Sequence, residues 1–295
     1  MPSYPAPPTP PLALPPGAWD CHMHVFGPFN RFPLAKAGAY APPLADRRTQ
    51  LAMLDASGFD HGLLIQPSSY GSDHRALLDA VGASGGRLRA IGSCDRSVTG
   101  EALGALHARG MRGLRFVDVA GPGGGRYPGT QGLDMLELLR DDMTAAGMHA
   151  QLWADLDRGT DAAFSAAASG MPLVLDHLAG MTAQDRPGTY RFDRMADALA
   201  SGMVWIKLTY LRRSALPLDY SDMQATVAAL AEVAPDRILW GSDWPFVRLD
   251  ARPNPAMMVA QLRTWLGEDA FIRCLTDNPV ALLAGKCLDG TAGAN

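Results

Sequence analysis

Ala18-Trp19-Asp20-Cys21-His22-Met23-His24-Val25-Phe26-Gly27-Pro28 is a short apolar run that carries two histidines one residue apart and then breaks at Gly-Pro. In an extended strand, side chains two apart share a face and lie roughly 7 Å from each other. His22 and His24 are therefore expected on one side together with Asp20, with Cys21 and Met23 on the other. Two imidazoles so placed can grip a metal ion or hydrogen-bond one oxygen from two directions. In a chain with seven histidines a His-x-His pair also arises by coincidence. Its weight depends on what the other strands carry.

Working outward, apolar β-branched runs alternate with Ala/Leu-rich segments. The expected strands are 19–25, 62–66, 88–94, 113–119, 149–154, 173–177, 204–209 and 238–243. Between them the spacing predicts helices over 48–57, 74–84, 101–109, 133–146, 161–169, 192–201 and 223–233. Gly58, Gly85, Gly110, Gly147, Gly170 and Gly202 follow the helical runs, where a left-handed turn closes a helix at little cost. Strands alternating with helices pair in parallel. Eight such units suit a closed (β/α)8 barrel (TIM-barrel class, α/β) in one domain better than the rival doubly wound open sheet. Residues 1–17 hold eight prolines and read as an extended tail. The barrel is expected over 18–288, and 289–295 form a second tail.

Composition excludes several classes. A formal charge of −4 without a basic run does not favour nucleic acid. No apolar run is long enough to span a membrane. The four cysteines, at 21, 94, 274 and 287, lack C-x-x-C spacing. Free thiols and a cytoplasmic location are the expectation, and the oligomeric state is left open.

In a barrel of this kind chemistry sits at the C-terminal ends of the strands. The first ends in His22 and His24, the second in the polar loop Gln66-Pro67-Ser68-Ser69-Tyr70-Gly71, and the fourth in Arg115 with Asp118 beyond. The sixth ends in Asp176-His177, the seventh in Lys207 and Thr209 followed by Arg212-Arg213, and the eighth in Asp243-Trp244-Pro245. Three histidines and an aspartate on strands one, six and eight are expected to converge on one point above the barrel mouth.

These residues resemble the amidohydrolase superfamily: His22-x-His24, Asp176-His177 and Trp240-Gly241-Ser242-Asp243-Trp244-Pro245 carry the likeness. More narrowly, residues 16–28 and Asn278-Pro279 are similar to the 2-pyrone-4,6-dicarboxylate lactonases and sugar-lactone hydrolases. The resemblance implies hydrolysis of a carboxylic ester bond in a small lactone. Amidohydrolases with two metals add a carboxylated lysine at strand four and a histidine at strand five. Here strand four ends Arg115-Phe116-Val117, and His149 begins strand five at the wrong end of the barrel.

Two readings of His22, His24, His177 and Asp243 stay open. In one they hold a single Zn²⁺ that acidifies its bound water. In the other, which the lactonase resemblance implies, no cofactor is required. The three imidazoles then polarise the lactone carbonyl, while Asp243 takes the proton from water and returns it to the ring oxygen. A zinc-dependent decarboxylase, and a barrel that binds a lactone or sugar acid without turnover, are the rival functions.

Arginines at strand ends suggest an anionic substrate, because a guanidinium fork matches a carboxylate. By resemblance Arg115, Arg213, Ser68 and Tyr40 contact substrate, and Trp153 stands where the lactonases have a tyrosine. Tyr70, in the polar loop, completes the expected contacts. Arg212 reads as exposed, Lys207 as a buried partner for a carboxylate, Asp176 as facing the helices, and His74 as a candidate pocket contact. Ala120-Gly121 and Leu178-Ala179-Gly180 stand where the lactonases carry basic residues, so a lactone with a single carboxylate or sulfonate, or a less charged one, is expected. The loop 121–128 is expected to close over it, with Arg126 or Tyr127 compensating in part.

Overall fold

Eight parallel strands are hydrogen-bonded in chain order: β1 (Trp19–Met23), β2 (His61–Ile65), β3 (Leu88–Gly92), β4 (Met111–Asp118), β5 (His149–Ala154), β6 (Leu173–Leu175), β7 (Val204–Lys207) and β8 (Ile238–Leu239). The computed structural model describes residues 13–35 and 40–284. Most of the proline-rich tail, Cys287 and the tail 289–295 lie outside the described residues. Closure runs through the segment after β8. Cys21 N donates to Trp240 O (2.9 Å), Asp243 N to His22 O (2.8 Å) and His24 N to Trp244 O (2.9 Å). The barrel expected from the alternation is the one observed.

The helices α1 (Arg47–Ser57), α2 (Arg75–Gly82), α3 (Gly100–Ala108), α4 (Leu133–Ala145), α5 (Leu156–Ser169), α6 (Tyr190–Ala200) and α7 (Gln224–Val233) follow successive strands. Helix α5 begins five residues before the expected start. Asp155 caps it by accepting from Arg158 N, satisfying a donor the first turn leaves orphaned. Three further helices, α8 (Pro255–Leu266), α9 (Glu268–Leu275) and α10 (Asp277–Leu283), complete the ring and return to the barrel. Asn278 Nδ2 ties α10 to the carbonyls of Pro235 (2.9 Å) and Ile238 (2.8 Å).

One core lies between sheet and helices, where Met23, Leu64, Leu114, Leu152, Ile206 and Trp240 are buried. Inside the barrel a separate cluster of Trp19, Cys21, Val174, Trp205 and Leu239 is plugged by Leu282 of α10. Strand β1 departs from simple alternation. Asp20 pairs with Gly62 but Met23 with Leu64, so three steps on β1 oppose two on β2. Such a bulge re-aims side chains. Cys21 packs inside with Trp19, Met23 packs outside, and both histidines still reach the mouth. Asp20 does not join them. Its Oδ1 accepts from Ser242 N (2.9 Å) and His22 N (3.1 Å) at the β1–β8 seam.

Candidate active site

Strands β6 and β8 stop earlier than expected, and the reason lies in the site. His177 and Asp243 adopt φ of 52° and 60°, left-handed values uncommon for non-glycine residues and concentrated at functional positions. The chain leaves the sheet there and aims both side chains over the barrel. Asp243 Oδ1 lies 3.5 Å from His22 Nε2 and 3.3 Å from His24 Nε2. The ring of His177 lies 4.9 Å from that of His22. All four are buried. The expected convergence is present.

Each imidazole is held from behind at its δ nitrogen. His24 Nδ1 faces Ile65 O (2.8 Å), His177 Nδ1 faces Thr209 Oγ1 (2.7 Å), and Lys207 Nζ lies 3.2 Å from His22 Nδ1. A carbonyl only accepts and a lysine ammonium only donates. The proton of neutral His24 therefore sits on Nδ1, leaving a lone pair at Nε2, whereas His22 Nδ1 faces both a donor, Lys207 Nζ, and an acceptor, Asp176 Oδ1 at 3.3 Å. Burial, with Lys207 adding to it, holds the pKa of His22 well below its usual value. Burial lowers His177 to about 4.

Beneath the histidines lies a buried ionic network. Asp176, expected to face the helices, is fully buried inside the barrel. It meets Arg115 Nε at 2.9 Å, Lys207 Nζ at 3.1 Å and His22 Nδ1 at 3.3 Å. Leu173 and Leu175 pack outside and Val174 inside, so alternation carries Asp176 inward and His177, at φ 52°, is the residue that breaks it; three cationic or imidazole partners offset the cost of burying the carboxylate. Lys207 also donates to Gln151 Oε1 (2.6 Å) and is the buried carboxylate partner expected. His149 lies at the start of β5, beside Gln151 (3.2 Å) and away from the mouth.

Above the site opens a cavity of about 240 Å³, lined by His24, His177 and Asp243 together with Tyr40, Ser68, Arg115, Trp153 and Arg213. Tyr70 does not line it. Its hydroxyl accepts from Gly27 N (2.7 Å) and pins the turn after β1, so the expected substrate contact is corrected to a structural one. His74 is likewise structural, its Nε2 lying 3.0 Å from both Ser93 O and Ser93 N. Arg213 reaches the cavity, but its guanidinium donates to Met181 O (3.1 Å) and Gly180 O (2.5 Å), bracing the loop after β6.

The arginine beside it is the correction. Arg212, read as exposed, lines the cavity and forms an ion pair with Asp243 Oδ2. Burial by itself would raise the Asp243 carboxyl; the Arg212 charge opposes this, and the pKa lies well below the usual range. No local signal separates two adjacent arginines that both line the cavity, and the 3-10 turn Tyr210–Arg212 sets which one meets Asp243. Arg248 and Tyr127 also line the cavity. Arg248 lies five residues past Asp243, where the strand-end rule reaches if the following loop is included. The glycine-rich loop forms a short hairpin, bridged between Ala120 and Arg126. It delivers Tyr127 to the cavity while Arg126 turns away to Asp134 (2.7 Å).

The donor set can hold a metal. His22, His24 and Asp243 offer ligand atoms within 4.8 Å of one another. Their separations of 3.3 and 3.5 Å are those of N and O ligands about 2.0–2.2 Å from a tetrahedral ion.

A family model described as Amidohydrolase matches residues 19–284. A 4-sulfomuconolactone hydrolase of Rhizobium radiobacter is 34% identical over 240 residues, covering 79% of this chain and 77% of that one. A 2-pyrone-4,6-dicarboxylate hydrolase of Comamonas testosteroni is 30% identical over 295 residues, covering 95% and 94%. A crystal structure of an Agrobacterium tumefaciens protein superposes with a TM-score of 0.82 at 25% identity, covering 92% and 97%. With the motif residues of the strand ends gathered in one cavity and a family model spanning nearly all of the barrel, this chain belongs to the amidohydrolase family.

Proposed function

We propose that this protein opens the ring of a small anionic lactone by water attack on the lactone carbonyl. The observation that carries the reading is the pairing of one ionised carboxylate, Asp243, with three back-braced imidazoles on the floor of an arginine-lined cavity. The relatives named as lactone hydrolases support the same reaction class.

The roles follow when His22 carries its proton on Nε2, with Lys207 donating to Nδ1 behind it. His22 Nε2–H donates to the carbonyl oxygen and stabilises the oxyanion that develops on attack, with His177 beside it. His24 Nε2 and Asp243 Oδ1, both acceptors, receive the two protons of the attacking water. Asp243 takes one as the C–O bond forms, then returns it to the ring oxygen as the acyl–oxygen bond breaks. The second water proton leaves through His24 Nε2 to solvent, so the products are a carboxylate, an alcohol or enol, and one released proton. Arg115 and Arg213 attract the substrate's anionic group, and Tyr40 and Ser68 complete its polar surroundings.

A second reading is favoured by the lone pair that His24 directs at the site and by the ligand spacing. In it His22, His24, His177 and Asp243 would hold a single Zn²⁺, whose chemistry there would be Lewis-acid polarisation and acidification of water.

The test is a panel of carboxylated and sulfonated lactones followed by proton release, with and without chelator. Turnover that survives chelation is expected. Activity lost to chelator and restored only by zinc selects the second reading. Carbon dioxide release without ring opening, or binding without turnover, overturns both.

A further inference from the structure

The charge lining the cavity is not balanced. Of its four arginines, Arg115 pairs with Asp176 and Arg212 with Asp243. Arg213 and Arg248 have no carboxylate within ion-pair distance among the described residues, and Arg213 is committed to backbone carbonyls. Arg248 gives one N–H to the Tyr127 hydroxyl (2.6 Å) and makes no other hydrogen bond among the described residues. A phenol that accepts there still has its own proton to donate. Together, the two side chains present several uncommitted donors at the cavity mouth.

They also terminate a continuous wall. The Arg115 guanidinium lies 5.6 Å from the Trp153 ring, Trp153 lies 5.4 Å from Tyr127, and the Arg248 guanidinium lies 5.8 Å from the Tyr127 ring. Arg115 is buried at the floor and Arg248 is exposed at the rim. The wall thus reads cation, aromatic, aromatic, cation from floor to mouth. A flat unsaturated ring can lie against its apolar middle, with an anion at either end.

We propose that Arg248 and the Tyr127 hydroxyl form a second anion subsite at the mouth, and that the preferred lactone carries two anionic groups on opposite edges of a flat ring. One edge faces Arg115 and the other Arg248. This rests on the reading of the cavity as a lactone pocket. It revises the expectation of a single anionic group, which came from Ala120 and Gly121 alone. The positive charge absent from the loop after β4 returns from the loop after β8, and the glycine-rich hairpin brings Tyr127 to meet it.

The test uses planar probes that need no turnover. Benzene-1,4-dicarboxylate and benzoate are titrated calorimetrically into wild-type protein, Arg248→Gln, Arg248→Lys and Tyr127→Phe. The wild type is expected to prefer the dicarboxylate by about tenfold or more, in keeping with a charge-assisted contact. Arg248→Gln erases that preference, Arg248→Lys keeps part of it, and Tyr127→Phe reduces it less than Arg248→Gln does. In turnover, Arg248→Gln lowers kcat/KM for dianionic lactones by about tenfold and much less for monoanionic ones. Absence of a dianion preference in the wild type, or equal loss for both probes in Arg248→Gln, overturns the proposal. If the probe pattern appears but no lactone is opened, the functional reading fails and the subsite stands.

Discussion

Asp243 concentrates the residue-scale arguments, because its left-handed φ, its burial and its Arg212 partner all serve one carboxylate. Asn tolerates left-handed backbone, so Asp243→Asn keeps the geometry and removes the proposed base. Its kcat should fall by about 10²–10⁴, while inhibitor affinity measured by titration stays within about tenfold. Asp20 gives a prediction of a different kind. Burial raises it to about 7, and its Oδ2 has no hydrogen-bond partner. Between the unfolded value near 4 and the folded value near 7, the native state holds a proton that the unfolded chain has released. Wild-type stability therefore falls as pH rises through that window. Asp20→Asn, which keeps the acceptor at Oδ1, removes this loss. The variant's advantage in urea unfolding should grow from pH 4 to pH 7 by on the order of 4 kcal/mol. A constant difference across that range contradicts the assignment.

At the scale of elements, the seam between β1 and the segment after β8 sets the geometry of the proposed site. A Cβ on Gly241 would lie 2.4 Å from His22 Cβ and 2.8 Å from His22 N. Gly241→Ala must push His22 from its place. A loss of kcat of about tenfold or more is expected with little change in far-UV circular dichroism, at a stability cost of about 1–3 kcal/mol. Tyr70 tests the opposite case. Tyr70→Phe strands the Gly27 N–H and should cost about 1–3 kcal/mol in thermal unfolding, with KM unchanged because the ring lies outside the cavity. A raised KM returns Tyr70 to the substrate side.

On the scale of the whole molecule, a chain of net charge −4 presents a cavity mouth dominated by arginine. An anionic substrate is drawn to that mouth against the overall sign of the protein. Such steering is screened over a Debye length of about 10 Å at 0.1 M salt. The kcat/KM for an anionic lactone should therefore fall several-fold between about 0.02 M and about 0.5 M salt, more steeply than for a neutral lactone. A flat profile across stopped-flow measurements contradicts substrate capture by the arginines.

The order of elements, the barrel and the identity of His22, His24, His177 and Asp243 were legible in the chain, because alternation, helix-stopping glycines and strand-end chemistry are local patterns. Helix α5 shows the limit of that legibility: its true start depends on the Asp155 cap rather than on apolar spacing. Which of Arg212 and Arg213 meets Asp243, where Asp176 points and what Tyr70 does were decided only in three dimensions. The bulge in β1 and the left-handed turns at His177 and Asp243 override period-two alternation. Contacts between β1, β6, β7 and the segment after β8 pair charges far apart in the chain. A sequence records which side chains are available; the closed barrel decides which of them share a low-dielectric interior, and there a charge must find its partner or not be buried at all.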